Sequence, residues 1–291
     1  MVVALSLAAA LVYGAADFCG GLATRRSSAF AVVVWSQAAG LLILVPALLV
    51  IPGVPGPGDL AWGAACGIAG AFAVGLLYRG LAIGVMGVVS PITAVLAAAI
   101  PVAWAVARGE RPAPAALIGI ACALVAVVMV SASTPRPTTD EEDAPLARPL
   151  PRHRFPPGIP EALGAGTAFG FFFIALAQTH ADAGLYPLLA TRLTSLAVLT
   201  AAALVLRRSL HVGRPGLRTV ACAGVLDMGA NVLYVLAAHA GPLSIAAVIT
   251  SLYPAGTVAL AALVLHERLV PVQWAGVAMA FAGVLCISLG R

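Results

Sequence analysis

The chain is predicted to be an all-α membrane protein whose ten transmembrane helices form two inverted five-helix repeats. Composition gives the first reason. Of 291 residues, 62% are hydrophobic and 9% charged, against roughly 25% charged in a soluble domain. A water-facing surface cannot be assembled from that. Charge is also gathered in a few places, leaving runs of the length, about 20 residues, that crosses a bilayer core as helix. Finally, residues 84–131 read again without a gap at 241–288: Gly84 falls on Gly241, Ile92-Thr93 on Ile249-Thr250, and Glu110-Arg111 on Glu267-Arg268. Pro114 then meets Pro271, Gly119 meets Gly276, and Ser131 meets Ser288. A repeat in an apolar chain points to two packed halves with something held between them, a common plan of secondary transporters.

Hydrophobic runs between Gly, Pro and charge punctuation place the spans. The first, near 2–23, lacks the basic leader of a signal peptide and runs on to Leu22, so it is kept as a membrane helix. Arg25 and Arg26 separate it from the second, 30–51, and a Pro/Gly-rich stretch then leads to the third, 60–82, which closes on Tyr78-Arg79. The fourth, 88–107, carries Pro91 and Pro101 and ends at "GER"; the fifth, 113–132, follows. Residues 133–159 are Pro-rich and mixed in charge, hence a flexible linker between the halves 1–132 and 160–291. The remaining spans lie near 160–180, 185–206, 216–238, 243–265 (with Pro254, ending at "HER") and 270–289. The internal prolines remove backbone hydrogen bonds and allow bending.

Because five is odd, the second half enters the membrane from the side opposite to the first. Homologous halves so placed are related by a pseudo-twofold axis in the membrane plane. The repeat is clear over the last three spans of each half and weaker over the first two, where Gly14 aligns with Gly170 and Gln37 with Arg192.

The net charge of +5 comes from 16 arginines without any lysine. These sit at segment ends, so the basic balance orients helices and does not indicate nucleic acid. Arg25, Arg26, Arg79, the linker arginines (Arg136, Arg148, Arg152, Arg154) and the group Arg207, Arg208, Arg214 and Arg218 share one face. The positive-inside rule puts that face in the cytoplasm and both termini outside. Cys19, Cys66, Cys122, Cys222 and Cys286 all lie in apolar segments without paired spacing, which favours reduced packing residues over a metal or redox site. No metal or cofactor is expected.

Ionisable groups at membrane depth are costly and mark function by default. Asp227, Asn231 and Tyr234 stand at i, i+4 and i+7, on one helical face. Tyr13 and Asp17 stand at i, i+4; Arg192 lies among Thr191, Thr194 and Ser195; Gln37 follows Trp35 and Ser36; Tyr78 and Gln178 complete the set. One reading is a central substrate-binding cavity lined by Asp17, Gln37, Tyr78, Arg192, Asp227, Asn231 and Tyr234. Asp17 or Asp227 would then take a proton or a cationic group, and Arg192 a carboxylate or an aspartate. The competing reading has Asp227 and Arg192 neutralise each other while Asn231 and Tyr234 bond to backbone. Arg79 is expected to snorkel to the interface. His180, His211 and His266 sit at boundaries and read as solvated, with His239 less clearly so. Glu110 and Glu267 recur beyond the fourth and ninth spans, each before Arg and Pro; capping the next helix or tying a loop suits them best.

The stretch "GPLSIAAVITSLYPAGTVALAALVLHERLVPVQWAGVAMAFAGVLCI" at 241–287, and its weaker copy at 84–130, resemble the EamA-type permeases of the drug/metabolite transporter superfamily. The resemblance spans the chain outside the linker. It implies a secondary active transporter in the cell membrane that moves a small metabolite, amino acid or drug-like solute, often with proton coupling or exchange. It also implies cytoplasmic termini, contrary to the arginine pattern. Four-helix relatives act as dimers, so a fused chain fits a monomer or a homodimer. A membrane-embedded enzyme or a channel or sensor subunit is the alternative, but no HExxH, nucleotide loop or signalling domain is visible.

Overall fold

The computed structural model describes residues 1–24, 27–83, 86–131, 158–264 and 270–289. Among them there are α-helices and one short 3₁₀ turn, with no strand. The first half contains α1 (Val2–Thr24), α2 (Ala29–Val50), α3 (Pro57–Ile83), α4 (Met86–Ala107) and α5 (Pro114–Ser131). The second contains α6 (Ile159–Ala177), α7 (Tyr186–Val205), α8 (Arg214–His239), α9 (Leu243–Thr250), α10 (Tyr253–Val264) and α11 (Pro271–Leu289). Helices α1, α2, α3, α6, α7 and α8 are long and apolar enough to cross a membrane; the others are shorter apolar helices.

Each expected span is helical, with one correction. The ninth is broken into α9 and α10 at Ser251-Leu252. Pro254 has no N–H to give the ladder. Just before it the chain tightens: Leu252 N donates to Ile249 O (3.2 Å), and the Ser251 hydroxyl donates to Val248 O (2.7 Å). Its counterpart α4 runs unbroken through Pro91 and Pro101.

Interhelical bonds define two ends of the bundle. At one, Ser28 Oγ donates to Ser209 O (2.9 Å), Trp35 Nε1 donates to Leu210 O (2.9 Å), and Arg79 pairs with Glu161 (3.3 Å). Arg79 is thus an exposed arginine with a partner on α6. Gln273 Nε2 donates to Val130 O at this end too (3.4 Å). At the other end, Asp59 Oδ1 accepts from His180 N (2.8 Å), and Val54 N donates to Asp182 O (2.8 Å). There the carboxylate of Glu110 accepts from the hydroxyl of Ser244. Glu110 therefore has the tying role the sequence offered beside capping α5, but what it ties is the start of α9 in the other half. Bonds to a charged group contribute about 1.5–3 kcal/mol. Glu267 and His266, with the linker arginines and Arg25 and Arg26, lie outside the described residues.

Contacts between the halves come in exchanged pairs. A Cβ on Gly14 in α1 would lie 2.8 Å from Thr257 N in α10, and one on its counterpart Gly170 in α6 would lie 2.7 Å from Ile100 in α4, where Ile100 is the counterpart of Thr257. Gly67 in α3 presses on the Thr191 carbonyl of α7, and its counterpart Gly224 in α8 presses on the carbonyl of Ser36 in α2, the counterpart of Thr191. When i touches j′ and i′ touches j, the two bodies are related by a twofold. Only glycine allows backbones this close. Helices α5 and α11 pack through Gly119 and Gly283 in the same manner.

Helix α1 packs along α8, and this brings Cys19 Sγ to 3.9 Å from Cys222 Sγ, both thiols free. A small approach reaches the roughly 2 Å of a disulfide. Mild oxidation is expected to join them. After cleavage in the linker, the two halves should then migrate as one species without reductant and separate with it; halves that always separate would contradict the α1–α8 packing.

Candidate functional site

Between the halves lies a cavity of about 190 Å³, room for on the order of six water molecules at about 30 Å³ each. Its polar centre is a linked set. Arg192 of α7 donates one terminal nitrogen to the Gln37 carbonyl of α2 and pairs the other with Asp227 of α8. Gln37 Nε2 donates to Ser195 Oγ (3.1 Å), and Asn231 Nδ2 donates to the backbone carbonyl of Asp227 (2.7 Å). Thr191 turns away, its hydroxyl between the carbonyls of Gly63 and Pro187 (2.9 Å each).

Gln37 and Arg192 are repeat counterparts, so a contact between them places both beside the twofold. The site is therefore central by construction. Helix α7 can bring a guanidinium there because Gly63 and Gly67 of α3 let the helix backbones close on it.

Of the sequence-predicted residues, Asp17, Gln37, Arg192, Asp227 and Asn231 all line this cavity. Tyr234 does not. It is wholly buried, its hydroxyl donating to Phe173 O (3.0 Å) and its ring 4.7 Å from that of Phe173. Its part is to hold a cavity-lining ring in place. Tyr78 belongs to α3, but its side chain is outside the described residues. Accessibility rises through the site: the Arg192 side chain is 5% exposed, that of Asp227 37%, and Asp17 is exposed near the Thr24 end of α1. The features that the two sequence readings name, an ion pair and a cavity, occur together. The neutralising Arg192–Asp227 pair exists, and it forms one wall of an open space.

Sequence reasoning passed over the apolar lining. Phe169, Phe172 and Phe173 of α6 and Gly70, Val74 and Leu77 of α3 face the same space, as does Tyr253 at the start of α10. The repeat carried a usable signal: Phe169 and Phe173 are the counterparts of Tyr13 and Asp17, and Gly70 and Val74 those of Asp227 and Asn231. Duplication thus gave one polar wall, α1 with α8, opposite one apolar wall, α3 with α6. Among the described residues no group of three or more His, Cys, Asp or Glu gathers in a metal-binding cluster.

A family model, the EamA-like transporter family, matches residues 1–132 and 156–289, nearly the whole chain in two blocks. The chain belongs to the EamA-like transporter family. As a member of that family it is a multi-pass membrane protein of the transporter type, all-helical and built from two repeats. No curated protein matches the sequence. A solved crystal structure, titled only as that of a protein, aligns with a TM-score of 0.77 at 16% identity over 99% of this chain and 96% of the other. At that identity the likeness concerns the fold alone.

Proposed function

We propose that this EamA-family chain is a secondary active transporter of the cell membrane, moving a small metabolite, amino acid or drug-like solute by alternating access. In this reading ten crossings form two inverted halves, with α9 and α10 together making one crossing. The halves rock about the Gln37–Arg192 contact and expose the cavity to each side in turn. The observation that carries the reading is the polar cluster beside the twofold, bordering a cavity in a bundle whose core is mostly Ala, Val, Leu and Ile. Asp17, Gln37, Arg192, Asp227 and Asn231 contact the solute. Tyr234 supports them through Phe173, and Tyr78 is kept as a further candidate contact on its position in the sequence alone. The chain contains no nucleotide-binding loop of the G-x-x-x-x-G-K type, so the driving force is a gradient, with the proton as candidate coupling ion.

The test begins with cells that hold or lack the protein, compared for retained and released small metabolites. The solute so found is then followed in proteoliposomes under an imposed pH gradient. Asp17→Asn and Asp227→Asn are each expected to fold but to lose gradient-driven accumulation. Unchanged accumulation in both variants removes the coupling role; absence of any carrier-mediated flux removes the transport reading.

A further inference from the structure

The two walls of the cavity differ in a way that names the chemistry of its occupant. Its formal charges are two carboxylates, Asp17 and Asp227, and one guanidinium, Arg192. Arg192 is buried, with both terminal nitrogens already engaged by Gln37 and Asp227. Asp17 makes no hydrogen bond or ion pair among the described residues, so its carboxylate has no partner among them.

Other atoms on the same wall want a donor. Asn231 is 4% exposed and its Oδ1 has no partner. The amide is oriented by its surroundings: Nδ2 faces the backbone carbonyl of Asp227 (2.7 Å) and the carboxylate (3.4 Å), so the opposite orientation would set acceptors against acceptors. The Tyr13 hydroxyl, which can donate as well as accept, is also buried and unpartnered. A buried acceptor left without a hydrogen is costly. Across the space stand Phe169, Phe172 and Phe173, with no polar side-chain atom among them.

We propose that the cavity recognises a small amphipathic monocation, a primary or secondary amine with an apolar or aromatic body. Its ammonium sits on the α1–α8 wall, donating to Asp17 and to Asn231 Oδ1, while its body lies against the α6 rings. A zwitterion is disfavoured: its carboxylate would meet Asp17 and Asp227, while the Arg192 charge is buried and already balanced by Asp227. This assignment rests on the reading of the cavity as the transport site.

The experiment uses the full chain in lipid nanodiscs and three probes of nearly one shape: phenethylamine (cation), phenylalanine (zwitterion) and 2-phenylethanol (neutral). Equilibrium binding is expected to favour phenethylamine by on the order of thirtyfold over each of the others, the scale set by one desolvated charge contact. Asp17→Asn should erase that preference while thermal unfolding shows a folded protein. Asn231→Leu, which removes the lone acceptor and keeps the bulk, should weaken amine binding with little effect on 2-phenylethanol. Equal binding of the three probes, stronger binding of phenylalanine, no binding of phenethylamine, or a preference that survives Asp17→Asn each overturns the assignment. Amine binding with the expected preference but without flux in proteoliposomes upholds the site and overturns the transport reading instead. Carrier-mediated flux of another solute, with phenethylamine unrecognised, does the reverse.

Discussion

Arg192→Leu is expected to destabilise the protein by about 2–3 kcal/mol and to abolish transport. Breaking a fully buried ion pair by removing one member costs roughly 3–5 kcal/mol, because the other charge is left unpaired. Here the estimate falls at or below the low end, since the Asp227 side chain is 37% exposed to the cavity and retains Asn231 Nδ2 at 3.4 Å. Gln37 also loses the donor to its carbonyl. Removing both charges separates the two roles of the pair. In Arg192→Leu/Asp227→Asn no charge is left unpaired at position 227, so stability should return to within about 1 kcal/mol of the parent. Transport should stay lost. Reversible unfolding in mixed micelles measures the first quantity and proteoliposome flux the second. A double variant as unstable as the single one would mean that the arginine acts through its packing and not through its charge.

Gly224→Ala and Gly67→Ala are expected to cost about 2–3 kcal/mol each, the upper part of the usual overpacking range. The obstacle in each case is main chain, the carbonyl of Ser36 for Gly224 and that of Thr191 for Gly67. A backbone carbonyl inside a helix cannot swing aside as a side-chain tip can, so the paired helices must separate. Gly75, on α3 as well, has nothing within 4 Å of an added Cβ. Gly75→Ala should therefore be neutral or stabilise by up to about 1 kcal/mol, the ordinary gain of alanine over glycine in a helix. Because Gly67 and Gly224 are counterparts, similar losses at both sites test the twofold itself. A large loss at one and none at the other would contradict it.

The helices were legible because an apolar run of bilayer length leaves the backbone few alternatives. The repeat paired Gln37 with Arg192 in sequence; that the two also touch in space was visible only in the structure. What escaped was whatever depended on a second helix. Glu110 looked like a local cap, since nothing in "GER" reveals that Ser244 will stand beside it. Tyr234 shared a helical face with Asp227 and Asn231, yet three residues farther along α8 that face has left the cavity and met Phe173. The phenylalanines drew no attention because an aromatic residue in a membrane span is unremarkable by itself; only their positions opposite Tyr13 and Asp17 give them meaning. The break at Ser251-Leu252 was signalled by Pro254, but Pro91 and Pro101 gave the same signal in α4, which runs unbroken.

The meeting of Gln37 with Arg192 also depends on the two halves being unequal. A residue on a twofold axis faces its own copy, so an assembly of two identical subunits could set here only glutamine against glutamine or arginine against arginine. The first pair can share hydrogen bonds through complementary amide ends; the second sets like charges together. One arginine beside one glutamine is open only to a chain whose copies differ. The lopsided charge of the cavity is in that sense a property of imperfect symmetry.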